Sequence, residues 1–132
     1  MKRLLISGLM IAALAAGISS ARATVWEVRI ENYDFNPKDL TIAPGDSVHW
    51  TNVSNLEHTV TRGENCVWDG DFDSGPILPG ADWGYAFDKT DAGTHGYFCQ
   101  FHCGMGMTGT ITVDLPSPTS ENSWGKIKKL YR

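Results

Sequence analysis

The sequence predicts an all-β fold, a sandwich or barrel of short strands, and three observations support this. Segments in which polar and apolar residues alternate recur at short intervals, and "VWEVRIEN" and "TITV" are the clearest of them. Glycine and proline separate these segments, as in the turn Pro44-Gly45-Asp46, where proline fixes φ and glycine frees it. The body of the chain has no convincing helical periodicity. Evenly spaced short strands of this kind are typical of antiparallel sandwiches and barrels.

Each strand is predicted from its own pattern. In the first strand Val28 and Ile30 share one face, because successive side chains of a strand point to opposite sides. Two further strands flank the proline–glycine turn, and the later of them, "DSVHWTN", places Val48 and Trp50 on a common face. The segments "HTVT", "WGYAF", "THGYFC" and "TGTITVD" are rich in β-branched or aromatic residues and complete the set.

Residues 1–23 are predicted to be a secretory signal peptide. Lys2 and Arg3 form a basic start, an apolar run follows, and small residues lead to an A-x-A cleavage pattern that ends at Ala23. The alternative is a retained membrane anchor, because the apolar run is nearly long enough to span a bilayer. The cleavage pattern and the immediate start of a strand favour cleavage after Ala23. We therefore expect a periplasmic or secreted protein.

The remaining chain is expected to form one domain, residues 24–114, followed by a linker and short basic tail, residues 115–132. The whole chain of 132 residues has a formal net charge of −4. Removal of the signal leaves 8 basic against 15 acidic residues, and the domain alone has 4 against 14, a net charge of −10. Such a domain is expected to repel nucleic acid and to attract basic protein surfaces. We expect a monomer with no transmembrane segment after cleavage.

Side chains that bind soft metals are concentrated in "YFCQFHCGMGMTGTITV". Cys99 ends a predicted strand, His102 follows after two residues, and Met107 follows after four more. A strand–loop–strand corner can direct a thiolate, an imidazole and a thioether toward one point, and another strand can supply His58. One cysteine, two histidines and a weakly bound methionine are typical of a mononuclear copper site that transfers electrons. We therefore expect one Cu(I)/Cu(II) ion per chain.

Several motifs of this chain occur together in a known family. They are "HTV", "FDSG" followed by "LPG", "GYFC", the spacing C-x-x-H-x-x-x-x-M-x-G, and "TITV", and they extend from about Val25 to Asp114. Together they resemble the plastocyanin/azurin family of blue copper proteins, the cupredoxins. The resemblance implies a Greek-key β-sandwich of the cupredoxin type, and one-electron shuttling between redox partner proteins without enzymatic activity. It implies four copper ligands: His58, Cys99, His102 and Met107.

Two alternatives concern the metal site. Met105 competes with Met107 for the axial position, because some family members have a shorter ligand loop. Their axial methionine stands two residues before a glycine, which holds for Met107 and Gly109 but not for Met105, so we prefer Met107 and place Met105 on the surface around His102. Zinc is the rival metal, since cysteine and histidine also bind zinc. Its fourth ligand would be Cys103, and neighbouring side chains on an extended loop point apart.

The other two cysteines lead to a hypothesis that also rests on the resemblance. Cys66 and Cys103 remain as a pair once Cys99 is assigned to copper. In the family arrangement the segment after the first ligand histidine passes near the ligand loop. We therefore hypothesise a disulfide between Cys66 and Cys103, which the simplest family pattern does not contain.

A second function is open within the same fold, that of a periplasmic copper chaperone or copper buffer. Met105 beside Met107 gives it slight support, whereas the enclosed ligand set speaks against it. The redox partners of an electron carrier are expected to have basic docking surfaces. An acidic loop could steer them, although such a run is more often a solvated turn; its members are Glu64, Asp69, Asp71 and Asp73.

Overall fold

Nine strands form two sheets in the computed structural model of the protein, which describes residues 22–117. The strands are β1 Val25–Glu31, β2 Asp34–Asn36, β3 Asp39–Ile42, β4 Ser47–Asn52, β5 Thr61–Glu64, β6 Val67–Asp73, β7 Asp82–Ala86, β8 Gly93–Phe98 and β9 Thr108–Val113. Short 3₁₀ helices occupy Lys89–Asp91 and Cys103–Met105. No helix within these residues is long and apolar enough to cross a membrane. The predicted signal peptide up to residue 21, and the tail beyond residue 117, lie outside the described residues.

The two sheets are mixed, with the strand orders β2-β1-β4-β7 and β3-β9-β8-β5-β6. The pairs β1–β4 and β3–β9 are parallel, and the remaining pairs are antiparallel. The predicted all-β sandwich is confirmed, and at these two pairs it differs from the antiparallel arrangement that the strand spacing indicated. The chain crosses from the first sheet to the second between β2 and β3, and returns before β4. The alternation of side chains along a strand shows which residues face the core, but it does not show whether the strand pairs parallel or antiparallel with a strand distant in sequence.

The core lies between the sheets and is rich in aromatic rings. Strand β4 shows the predicted alternation clearly, because Val48 and Trp50 are fully buried while Ser47, His49 and Thr51, which alternate with them, are only partly covered. The ring of Tyr97, from the second sheet, makes edge contacts with Trp50 at 5.6 Å and with Phe35 at 4.7 Å between centroids. These rings fill the space beneath one end of the sandwich, where the ligand loop begins.

Strand pairing brings three chain segments together at that end. Phe98, the last residue of β8, lies opposite Thr108 of β9 on one side and Thr61 of β5 on the other. The loop 99–107 therefore connects adjacent strands, and His58 lies just ahead of the strand that flanks them. A single isolated bridge between His58 and Ile77 fixes the approach of this segment.

Candidate metal centre

Three donor atoms from distant parts of the chain surround one point. The Nδ1 atoms of His58 and His102 are 3.2 Å apart, and the Cys99 Sγ atom lies 3.7 Å from the first and 3.5 Å from the second. A point equidistant from atoms at these separations lies about 2.0 Å from each, which is the length of an ordinary metal–imidazole bond. The three donors therefore fit a single metal ion.

The ligand loop is held by its own backbone. The Cys99 N–H donates to the carbonyl of Met107 at 3.1 Å, and the His102 N–H donates to the carbonyl of Cys99 at 3.2 Å. The His102 carbonyl in turn accepts from the N–H groups of Met105 at 2.9 Å and Met107 at 3.4 Å. These bonds close the two ends of the loop on each other and fix the spacing between the donor residues.

The two methionines of the loop lie in opposite environments. Met107 is 0% exposed and belongs to the core, whereas Met105 is 61% exposed. The glycine two residues after Met107 has a packing reason, because a Cβ at Gly109 would lie 2.5 Å from the phenol of Tyr97 and 2.8 Å from the Lys38 carbonyl oxygen. Glycine thus allows the Tyr97 ring to cross the start of β9, the strand that directly follows Met107.

The sulfur of Cys99 is buried, is not in a disulfide, and accepts the Thr59 N–H at 3.4 Å. The Thr59 hydroxyl accepts the N–H of Gln100 at 2.8 Å, and it lies 3.0 Å from the hydroxyl of Thr61, which donates to Asp73. Sequence reasoning missed this contribution of the Thr59 side chain. The one sequence signal that could have revealed it is the alternation in "HTVT", which places Thr59 and Thr61 on the same side of the chain. The chain of bonds ties the segment before β5 to the ligand loop.

His58 is fully buried and is bonded through both ring nitrogens. Its Nδ1 faces the other two donors, and its Nε2 lies 2.9 Å from the hydroxyl oxygen of Ser54. Burial, and next the neighbouring His102 ring, lower the pKa of His58. The imidazole is therefore neutral near pH 7, which is the form that binds metals. Sequence reasoning did not identify Ser54, whose role depends on how the loop before His58 folds.

His102 is the one partly exposed donor of the three. Two exposed aromatic rings lie against it: that of Tyr33, edge-on at 5.0 Å between centroids, and that of Phe101 at 6.4 Å. A metal ion held here is shielded from solvent by the core, yet it lies only one side chain from the surface.

A disulfide joins Cys66 and Cys103, with an S–S distance of 1.92 Å and a Cα–Cα distance of 5.7 Å. Cys66 lies in the turn between β5 and β6, and Cys103 directly follows His102. The bond ties the ligand loop to the β5–β6 hairpin. Because Cys103 is oxidised, the zinc site that needs it as a fourth ligand does not form.

The remaining histidines lie outside this cluster. His49 is half-exposed on β4, with Nδ1 3.8 Å from an Asp82 carboxylate oxygen and 4.0 Å from one of Glu27. The Nε2 atom of His95 contacts the backbone oxygen of Asp91. Within residues 22–117 the donor cluster therefore contains only two of the four histidines.

Comparison with known proteins places this chain in a family. A model described as copper binding proteins, plastocyanin/azurin family, matches residues 23–114. Plastocyanin of Scenedesmus fuscus is 38% identical over 85 residues, which are 60% of this chain and 85% of that protein. The chloroplastic plastocyanin minor isoform of Arabidopsis thaliana is 31% identical over 117 residues, covering 80% of this chain and 68% of that protein.

Solved structures agree with the fold. A purple cupredoxin from Nitrosopumilus maritimus superposes with a TM-score of 0.60 at 28% identity, covering 67% of this chain and 99% of that one. Plastocyanin from Dryopteris crassirhizoma superposes with a TM-score of 0.55 at 19% identity, again covering 67% of this chain and 99% of that one, and it supports the fold alone.

The β-sandwich and the soft-donor cluster at its end define a copper-binding protein of the cupredoxin class. The chain belongs to the plastocyanin/azurin family of copper binding proteins. Its cofactor is copper, one ion per chain, and the thiolate and two imidazoles fit that ion by their chemistry as well as by their spacing.

Proposed function

We propose that this protein is an exported blue copper electron-transfer protein that shuttles one electron at a time between redox partner proteins. The observation that carries the proposal is the closed triangle of donor atoms, no two of them more than 3.7 Å apart, with only one corner partly exposed. The bound copper supplies the one-electron chemistry. In this proposal it has four ligands: His58, Cys99, His102 and Met107.

The residues around the donors hold the site in one arrangement. The loop bonds between Cys99, His102 and Met107 keep the donors at fixed separations, and the buried core excludes water from two of them. A site that does not rearrange when its charge changes by one unit keeps the reorganisation energy of electron transfer small. His102, with the exposed rings of Tyr33 and Phe101 beside it, gives a partner close access to the site.

Two observations support export. The first is the predicted signal peptide, which ends at an A-x-A pattern. The second is the disulfide between Cys66 and Cys103, because disulfides persist in the periplasm and outside cells but are rare in the cytosol. Cleavage after Ala23 and a periplasmic location belong to this proposal, as does a monomer of one domain, residues 24–114, with a basic tail.

The redox partners are proposed to dock through basic surfaces, and nucleic acid is not among the partners. The support is the net charge of −10 on the domain. Within the acidic loop, Asp69 and Asp71 share the single positive charge of Arg62, so one of their two negative charges remains uncompensated together with those of Glu64 and Asp73.

A copper titration tests the proposal. Cu(II) is added to the protein that begins at Thr24, and the visible spectrum and reduction potential are recorded. We expect one copper per chain, an intense thiolate-to-copper charge-transfer band and a reversible one-electron couple. The Cys99→Ser variant should lose the band, and the Met105→Leu variant should keep it.

The copper chaperone or buffer is the second candidate, favoured only by the exposed Met105, whose N–H donates to the His102 carbonyl. Absence of the band, or immediate loss of copper to a mild chelator, would contradict the electron carrier and favour this candidate. In that case the Met105→Leu variant should exchange copper more slowly than the parent protein.

A further inference from the structure

Ser54 contacts the ring nitrogen of His58 that is turned away from the metal site, and this contact can determine whether the other nitrogen, Nδ1, offers the site a lone pair. The Nε2 atom of His58 lies 2.9 Å from Ser54 Oγ, and its Nδ1 belongs to the donor triangle. A neutral imidazole carries one N–H, so a proton on Nε2 leaves Nδ1 as an acceptor, and a proton on Nδ1 blocks it. The orientation of the bond to Ser54 therefore matters for metal binding.

Asn52 fixes the direction of that bond. Its side-chain Nδ2 donates both protons to backbone carbonyls, to Leu56 at 2.7 Å and to Ile77 at 2.9 Å, so its Oδ1 is the acceptor. The Oδ1 atom accepts the Ser54 N–H at 3.0 Å and lies 2.7 Å from Ser54 Oγ. The nearby Leu56 carbonyl, at 3.1 Å from Oγ, is also an acceptor. Because both neighbouring oxygens can only accept, the single hydroxyl proton of Ser54 is used on one of them.

With its proton used in this way, the Ser54 hydroxyl oxygen acts as the acceptor in its hydrogen bond with His58. It takes the Nε2–H of His58 and leaves the Nδ1 lone pair directed toward Cys99 and His102. Asn52 and His58 are both 0% exposed and Ser54 is partly buried between them, so this set of bonds joins the protein interior to the loop before His58. We propose that Ser54 is a positioning residue that, held by Asn52, sets the tautomer and orientation of His58 before copper binds.

This inference rests on the proposed function to the extent that His58 is a copper ligand. A ligand histidine whose other N–H is bonded is fixed in its ring orientation and is a stronger donor, and loss of such a bond typically costs 10- to 100-fold in metal affinity. A stronger nitrogen donor also favours Cu(II) over Cu(I). Removal of the Ser54 hydroxyl should therefore weaken Cu(II) binding by about 10- to 100-fold and raise the reduction potential.

The test compares the parent protein with Ser54→Ala and with Ser54→Thr, a matched control that keeps the hydroxyl. The ring ¹⁵N chemical shifts of His58 in the metal-free protein report the tautomer, and chelator competition reports the affinity for Cu(II). We expect the Nε2–H tautomer in the parent and in Ser54→Thr. In Ser54→Ala we expect a mixture of tautomers, the 10- to 100-fold loss of affinity and a higher potential.

An unchanged tautomer, affinity and potential in a folded Ser54→Ala protein would overturn the inference. If that variant does not fold, the metal-free parent decides, because an Nδ1–H tautomer of His58 there contradicts the inference directly and an Nε2–H tautomer supports it. A parent protein that shows the expected tautomer but no charge-transfer band would leave the positioning role standing and remove the electron-carrier function.

Discussion

Among single residues, Gly109 lies where an added methyl group would be crowded, near the start of the strand that follows the ligand loop. Substitution by alanine places a methyl group 2.5 Å from the Tyr97 phenol, which is itself fully enclosed in the core. We expect Gly109→Ala to lower the free energy of unfolding by about 1–3 kcal/mol, the usual cost of overpacking. Urea denaturation of the metal-free protein measures this. Gly104→Ala is the matched control, since no atom lies within 4 Å of the Cβ that it adds; equal losses in both variants would rule out the packing explanation.

The axial position leads to a second prediction at the residue scale. The thioether of Met107 is proposed to donate weakly to copper, and a leucine in its place would leave only apolar surface beside the extra positive charge of Cu(II). Met107→Leu, which nearly conserves volume, should therefore raise the reduction potential, by about 59 mV for each tenfold of Cu(II) preference lost. Met105→Leu is the control on the exposed side of the loop. Voltammetry of both variants checks this, and a larger shift in Met105→Leu than in Met107→Leu would reverse the assignment.

These residues show what the sequence could and could not predict about the centre. The proposed ligands follow from spacing along one segment plus one histidine, and such spacing is visible in a string of letters. The roles of Ser54, Asn52 and Thr59 are not visible there. They depend on hydrogen bonds between atoms that meet only when the loop before His58 and the ligand loop are folded against each other.

Among the elements, the hairpin β5–β6 and the ligand loop are joined by the disulfide between Cys66 and Cys103, 37 residues apart in sequence. Closing a loop of this length stabilises the folded state by about 4 kcal/mol in the chain-entropy model. The double variant Cys66→Ser, Cys103→Ser should lose stability of that order in the metal-free state. Denaturation by guanidinium measures it, with the reduced parent protein as the reference. Equal midpoints for oxidised and reduced parent protein would contradict the expected stabilisation.

The start of β1 is fastened to the turn before β4 by one buried carboxylate, Asp46. It accepts the Thr24 N–H at 2.9 Å, the Trp26 Nε1–H at 2.9 Å and the Ala43 N–H at 3.0 Å. Burial alone would raise the pKa of Asp46, but these hydrogen bonds outweigh it and lower the pKa below its ordinary value. The charged form is therefore favoured by folding.

The sign of the resulting pH dependence follows from this lowered pKa. The stabilisation from Asp46 is present above the unfolded pKa, about 3.9, and is lost as the pH falls through the lower folded value. Asp46→Asn should be less stable than the parent near pH 6, and its stability should fall less steeply toward pH 2, within the usual window of carboxylate titration. Unfolding free energies across that range measure this. The exposed Asp34, changed to Asn, is the control, and parallel curves for parent and Asp46→Asn would contradict the prediction.

The elements themselves were predictable to the extent that their residues alternate. Strand β4 was expected with Val48 and Trp50 inward, and it has them so. The parallel pairings of β1 with β4 and of β3 with β9 were not predicted, because register and direction are set by crossings between sheets and not by the residues of either strand. The short 3₁₀ turn Cys103–Met105 also escaped prediction, since three residues carry no periodic signal.

For the whole molecule, the net charge of −10 on the domain should govern encounter with redox partners. Electron exchange with a cationic inorganic oxidant should be fast at low salt and slow down as the ionic strength rises, because screening removes the attraction. An anionic oxidant should show the opposite trend. Stopped-flow rates with the two reagents measure this. Rates that do not depend on salt for either reagent would contradict the prediction and would show that the charges on the surface around His102 balance one another.

The separation of 41 residues between His58 and Cys99 has a consequence for folding itself. The donor triangle is non-local, so it exists only after β5 and β8 have paired, and the unfolded chain does not present it. By mass action, a ligand that binds the folded state alone stabilises it by RT ln(1 + [L]/Kd), about 1.4 kcal/mol for each tenfold excess over the dissociation constant. Copper is thus a thermodynamic partner in folding as well as a redox centre, and the melting temperature of this protein should report the free copper concentration around it.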